Sequence, residues 1–320
     1  RSCMENFNIH PTAKIDKGCE ILAESVNIGP NVVIGENFKF NGQSLTIGKM
    51  SRIDKNFKAE CRRLTIGENL YCMNDVEIGR GGNRSEFSTV DIGDNVGIFD
   101  HVVINPNSPV KIGDNCGIGS EVMIWTHGAW LNVLEGFPDD FGPVTIGKNV
   151  WLPARCIVLP NVEVGDNCVI GINSLINKSI PEGSLAAGQP CKVIRENMYP
   201  HDVDITEKMK NILTSWQNHI KFKGRDRFTM SYNNGVITLI EGENFTWLNV
   251  IDKTCSDETS PLTEDLRDFL RRHGIKIYTD RPFQSVELPY KQEKYTNEKV
   301  INNKEKPPFY YTRGKHTSKR

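Results

Sequence analysis

Between Val144 and Pro181 large aliphatic residues return every six positions, at Ile146, Leu152, Val158, Val164, Ile170 and Ile176. A second series of small or β-branched residues runs two positions ahead: Val144, Val150, Cys156, Val162, Cys168 and Ser174. Gly, Pro or Asn follows the large residue at Gly147, Pro153, Gly165, Gly171 and Asn177, and only Leu159 departs. A period of six fits neither the roughly 3.6 residues of a helical turn nor the alternation of a single strand. It fits a parallel β-helix, in which each hexapeptide makes one short strand and one corner. The large residue points inward, the small one fits near the bend, and Gly or Asn supplies the turn angles. Three hexapeptides close one coil, so equivalent side chains stack every eighteen residues, about 4.8 Å apart. A set of short antiparallel strands is the competing reading, but it gives no reason for a phase held through the whole stretch.

Weaker phases of the same kind begin earlier. They run through Ile15 and Ile21, slip by one residue to Ile28, Ile34 and Phe40, and continue at Ile47 and Ile53. Further sets are Ile66, Cys72 and Ile78, then Ile92, Ile98 and Ile104, then Ile112, Ile118 and Ile124. The phrase Ile-Gly-x-Asn recurs at the corners, and the coils span about 12–190. Stacked repeats bury one another's open faces, so this number of coils makes an ample core. Two stretches break the pattern: Arg80–Thr89, polar and Gly-rich, and Trp125–Pro143, longer and richer in aromatics. Long loops inside a compact repeat are often functional.

Beyond the coils, Asp204 precedes a helical pattern with Met209, Ile212, Leu213, Trp216 and Ile220 on one face. Asp204 is the expected N-cap, with Glu207 three residues on, and the helix is expected to cap the prism. FTMSY, a turn at Asn233-Asn234-Gly235, VITLIE and NFTWLNV read as antiparallel strands. A helix from Pro261 to Gly274 and a strand at Ile275–Tyr278 follow. The division is therefore 1–198 for the β-helix, 199–224 for the capping helix and linker, 225–289 for a small α+β appendage, and 290–320 for a basic tail. In the tail Lys and Arg outnumber Glu and apolar content is low, the composition of a disordered, solvated segment.

The repeat words and their phase resemble the hexapeptide-repeat acyltransferases. The resemblance implies an all-β fold, a left-handed parallel β-helix. Handedness comes from the resemblance alone, because parallel crossovers are otherwise right-handed. It is strong over roughly 90–220 and rests only on the repeat over 12–90. It does not reach the appendage. What it implies is an acetyltransferase that uses acetyl-CoA as co-substrate and assembles as a homotrimer with each active site between two prisms. The branch with xenobiotic and sugar acetyltransferases carries a histidine where this chain has Trp125-Thr126-His127-Gly128. His127 would be the general base, removing a proton from an acceptor hydroxyl or amine, work that suits imidazole. Ile124 anchors the start of the loop in the core, and Trp125 and Trp130 are placed to fence the site from water. Gly188-Gln189-Pro190-Cys191-Lys192-Val193-Ile194-Arg195 resembles the family's closing phrase beside the coenzyme nucleotide. Lys192 and Arg195 could then pair with phosphates. Trp151 and Gly171, with Gly188, are the other expected coenzyme contacts. Leu152-Pro153 and Ile172 depart from the family's words along the pantetheine path. Asp100, His101 and Trp130 are candidate acceptor-lining residues. Neighbours on a strand face opposite ways, so Asp100 does not simply orient His101.

Composition narrows the rest. The net charge of −1 gives no global field toward nucleic acid or membrane. No apolar run approaches the roughly 20 residues of a membrane span, and RSCMENFNIHP shows no signal-peptide core. Nine cysteines without a CxxC pair read as reduced thiols in a cytoplasmic protein. A zinc-dependent carbonic anhydrase on the same prism would need three converging histidines, and only His101 and His127 lie in the main coils. No metal is expected. The acceptor is not written in any motif; a carbohydrate is the expectation from the relatives. A non-catalytic β-helix used for assembly is the alternative reading.

Overall fold

In the computed structural model, which describes residues 6–81 and 85–286, the chain divides into two units, the first running to Val203 and including Tyr278–Pro282, the second beginning at Asp204. The first is a prism of three sheets, parallel throughout except where Lys192–Arg195 pairs antiparallel with Leu185–Ala187. Its first face stacks eight strands, from Phe7–Ile9 through Ser25–Ile28 to Glu163–Val164. The second face stacks ten, from Lys14–Ile15 to Lys192–Arg195, and the third stacks eight, from Glu20–Leu22 to Leu175–Ile176. The hexapeptide arithmetic is realised as columns. Ile104, Ile124, Val158 and Ile176 lie in register on the third face, each fully buried. Each such side chain leaves water at a gain of roughly 1.5–3 kcal/mol.

The coils are not uniform. Adjacent coils are nineteen residues apart at Asn37–Asn56 and eighteen at Asn149–Asn167. The additional residue enters between the third face and the first, as from Phe40 to Ile47, which is why the early repeats read as slipped. The first strand begins at Phe7, ahead of the expected 12. Ala59 takes a core slot between Phe40 and Ile78. Phe38 and Phe57, stacked at 5.2 Å, fill the interior beside it.

The corners divide the work that was expected of Gly and Asn together. Asn115 carries the left-handed backbone, at φ 58, and its side chain accepts from Asn95 on the preceding coil (3.2 Å). Gly113 is required for a different reason, since a Cβ there would stand 2.7 Å from the Gly147 carbonyl carbon of the next coil.

The second unit pairs two helices, α1 (Ile205–Phe222) and α2 (Pro261–Arg272), with a four-stranded antiparallel sheet. Asp204 caps α1 by accepting from Glu207 N (3.0 Å). The expected turn is present, with positive φ at Asn234 and Gly235. A short strand at Thr254–Cys255 was not expected. Two expectations are corrected. The apolar face of α1 does not form a separate cap: Met209, Leu213, Trp216 and Ile220 are buried in one cluster with Ile237, Leu239, Leu248 and Leu266. Asp265 on α2 fixes that packing, accepting from Trp216 Nε1 (3.0 Å) and Lys223 Nζ (2.7 Å). Nor is Ile275–Tyr278 a strand. Ile275 N closes the end of α2 on Leu270 O (3.0 Å), and Ile277 O is taken by buried Arg267 (3.0 Å). The basic tail over 290–320 lies outside the described residues.

Candidate active site

Both insertions leave the prism at the same corner, between the third face and the first. The earlier one follows Glu77–Ile78 and the later one follows Met123–Trp125, with the strand Val103–Asn105 between them. Ile124 is fully buried between Ile104 and Val158, so the chain leaves a fixed point of the core. Thr126 is also fully buried; its hydroxyl donates to Asn105 O (2.7 Å) and accepts from Ser108 N (3.0 Å). Phe141 and Asp140 pair antiparallel with His127 and Gly128, and Gly142 N donates to Thr126 O (3.0 Å). The later insertion is thus a hairpin arm pinned at its neck, with His127 in the neck.

His127 is half-buried. Its Nδ1 lies 2.7 Å from Asn105 Oδ1, its ring stacks on Phe141 (5.9 Å between centroids, 25° between planes), and Trp125 meets it edge-on at 6.5 Å. Its Nε2 has no hydrogen-bond partner among the described residues. An imidazole held on one side by a buried amide and open on the other can accept a proton from a bound acceptor. Asn105, Thr126 and Phe141 were not anticipated. The signal for Asn105 was present in the register, because Asn105 stacks on Trp125 one coil before the histidine, but it appears only once the coil length at that point is known.

The remaining expected residues separate into three groups. Asp100 and His101 sit at the corner between the second and third faces, the opposite end of the third face from His127. His101 is exposed with φ 60, and the Asp100 carboxylate accepts from Asn74 N (3.1 Å) and Asn74 Nδ2 (3.2 Å). Within one chain they hold a coil corner and do not border His127. Trp130 is 95% exposed on the arm and fences nothing within the chain. Leu134, on the same arm, is 92% exposed.

The expected coenzyme residues fall together on the second face and at its C-terminal end. Trp151 stands in register with Gly117, and Phe99 meets its ring edge-on at 6.4 Å. Gly171 and Gly188 are tied through Ser174, which donates to Gly171 O (2.7 Å) and accepts from Gly188 N (3.0 Å). Lys192 and Arg195 are exposed on the last strand and make no ion pair among the described residues. The corner bearing His127 lies opposite the second face across the triangular prism, so one chain does not bring the histidine and these residues together. Among the described residues no group of His, Cys, Asp and Glu is arranged to hold a metal. Five of the thiols are poor nucleophiles: burial pushes Cys61 up to about 12 and also raises Cys72, Cys156, Cys168 and Cys191. No helix is long and apolar enough to cross a membrane among the described residues.

Residues 143–178 match the family model described as bacterial transferase hexapeptide (six repeats), and residues 109–129 match that of the hexapeptide repeat of succinyl-transferase. The chain is similar to the galactoside O-acetyltransferase of Escherichia coli K12, 52% identical over 54 residues, 17% of this chain and 27% of that protein. It is similar to a candidate acetyltransferase of Saccharomyces cerevisiae, 39% identical over 112 residues, 34% of this chain and 57% of that protein. A solved galactoside acetyltransferase in complex with coenzyme A is 30% identical, covering 41% of this chain and 62% of that one, with a TM-score of 0.30. The chain thus spans less than two thirds of the length of each of these relatives.

Proposed function

We propose that this chain, a member of the hexapeptide-repeat acyltransferase family, transfers the acetyl group of acetyl-CoA to a hydroxyl or amine of a carbohydrate-type acceptor. The observation that carries the reading is His127, fixed at Nδ1 by buried Asn105 and open at Nε2. In the proposed step Nε2 takes the acceptor proton as the acceptor oxygen or nitrogen forms a bond to the thioester carbonyl carbon. The carbon–sulfur bond then breaks, and the proton returns from the imidazolium to the departing thiolate, leaving acetylated acceptor and free coenzyme A thiol. Trp151, Gly171 and Gly188 would border the pantetheine, and Lys192 and Arg195 would take its phosphates. A similarity to a galactoside O-acetyltransferase supports a saccharide acceptor.

The separation of His127 from the second face supports a site shared between copies, one giving the histidine and its neighbour the coenzyme surface. A shared site needs more than one copy, and the resemblance to the hexapeptide-repeat acyltransferases makes the proposed assembly a homotrimer. The buried thiols of Cys61, Cys72, Cys156, Cys168 and Cys191 support action in a reducing compartment such as the cytoplasm. The test is thiol release from acetyl-CoA by the purified chain across a panel of sugars and amino sugars, with particle mass from light scattering. Acceptor-dependent release by a trimer is expected. Failure to bind coenzyme A, or full activity as a monomer, would overturn the corresponding part of the reading.

A further inference from the structure

Asn105 is completely buried, and each of its polar side-chain atoms is committed. Nδ2 donates to Gly79 O (2.9 Å) and Arg80 O (3.0 Å), and Oδ1 faces His127 Nδ1 at 2.7 Å, with the Thr126 hydroxyl farther off at 3.4 Å. Backbone carbonyls only accept, so the amide nitrogen must be the atom that faces residues 79 and 80. The alternative orientation would set three oxygens against one another and leave two carbonyls without donors. The orientation is therefore dictated by chemistry, where an isolated amide would be ambiguous. With Oδ1 toward the imidazole, Nδ1 must carry the proton, and a neutral His127 keeps its lone pair on Nε2.

The two carbonyls belong to the root of the first insertion. Gly79 has φ 141 and Arg80 has φ 59, where the chain swings off the third face. Arg80 Nε is held by Glu77 Oε2 at 2.8 Å, which steadies the same turn. Three successive coils thus contribute one chain of contacts at one corner, from the root of the first insertion through Asn105 to the neck of the second.

We propose that Asn105 is a positioning residue that locks His127 in the Nδ1–H tautomer, and that the backbone of Gly79 and Arg80 sets the lock. The inference rests on the reading of His127 as the base, but concerns a proton location that can be observed without turnover. Its second part makes the first insertion a determinant of the chemistry, since a shift in its root would release the amide and let the imidazole proton move to Nε2, where it blocks acceptance. A cost in kcat of about ten- to a hundredfold is expected, by analogy with the loss of a hydrogen-bond partner behind a metal-ligating imidazole.

The test is nitrogen NMR of the full chain labelled with 15N-histidine, with the His127 ring signals identified by their absence in His127→Gln. Wild type should show a protonated Nδ1 and an unprotonated Nε2. Asn105→Ala should populate the Nε2–H form and lower kcat with little change in the acetyl-CoA KM. A positive φ at Gly79 makes Gly79→Ala a milder disturbance of the same carbonyls, with no new atom near His127, and it should shift the ring signals in the same direction. An Nε2–H tautomer in wild type, or a tautomer unmoved in Asn105→Ala, overturns the lock. Unmoved signals in Gly79→Ala overturn the role of the insertion root. Should Asn105→Ala fail to fold, the wild-type and Gly79→Ala spectra still decide both parts. If the tautomer is as proposed while His127→Gln retains full kcat, the base assignment fails and the lock does not.

Discussion

Gly117 lies on the second face and Gly119 just past it, and adding one methyl group to each should act on different properties. A Cβ on Gly117 would stand 2.6 Å from Trp151 Cζ3 and would overlap the edge of that ring. Carbon atoms rest at about 3.5–4.0 Å, so the indole must move by roughly 1 Å. Trp151 is 42% exposed and can swing outward, so the stability change should stay within about 1 kcal/mol, part of it offset because Gly weakens a strand. A Cβ on Gly119 would instead stand 2.6 Å from Ala154 N and Pro153 C. Backbone cannot swing aside, and overpacking there should cost about 1–3 kcal/mol. If Trp151 borders the pantetheine, a 1 Å displacement should reach turnover, where such misplacement costs up to about a hundredfold. Thermal melts and calorimetric titration with coenzyme A read the two effects separately. Gly117→Ala should weaken coenzyme binding or kcat at nearly unchanged stability, and Gly119→Ala should lower stability first. Unaltered coenzyme affinity and kcat in both Gly117→Ala and Trp151→Ala would refute the placement of the coenzyme on the second face.

Other outcomes follow from the same geometry. Replacing Lys192 or Arg195 by Ala should raise the acetyl-CoA KM at nearly constant kcat, by about 1.5–3 kcal/mol for a charge-assisted contact; steady-state kinetics with coenzyme A and its 3′-dephospho form would show which phosphate is held. Asp265→Ala should destabilise the C-terminal unit by about 3–5 kcal/mol in urea melts, because Lys223 would remain buried without its carboxylate. His219 is held below its usual range by burial and then by Lys223 and Arg272. Its neutral form is the one the folded state favours, so its contribution is present above about pH 6.5 and is lost as the pH falls below that value. Urea melts at pH 5 and pH 8 should differ less in His219→Phe than in the natural chain.

The prism was legible because its signal is a count. Six aliphatic residues at fixed phase from Ile146 to Ile176 leave one architecture, and the columns they predicted are those observed. Legibility fell where a coil gained a residue at one corner, as between Phe40 and Ile47, or where volume was shared differently, as at Ala59 beside Phe57. Asn105 was hidden for the same reason: its neighbour across the coil boundary depends on coil length, which insertions conceal. The placement of α1 was missed because an apolar helical face does not state its partner. Trp216 finds Asp265 forty-nine residues on, a pairing that only tertiary packing reveals. His101 looked eligible by residue type, but its φ of 60 and exposed position mark a corner residue, a slot filled mostly by Asn in this chain.

The central claim is that His127 carries the proton in acetyl transfer. The most direct measurement is the kcat of His127→Ala in the thiol-release assay, with acetyl-CoA affinity measured alongside by calorimetry and the fold checked by circular dichroism. A fall of about 10²–10⁴-fold is expected, the range for removing a general base, with affinity for acetyl-CoA nearly unchanged if the coenzyme sits on the second face. A folded His127→Ala protein that turns over at the wild-type rate would contradict it.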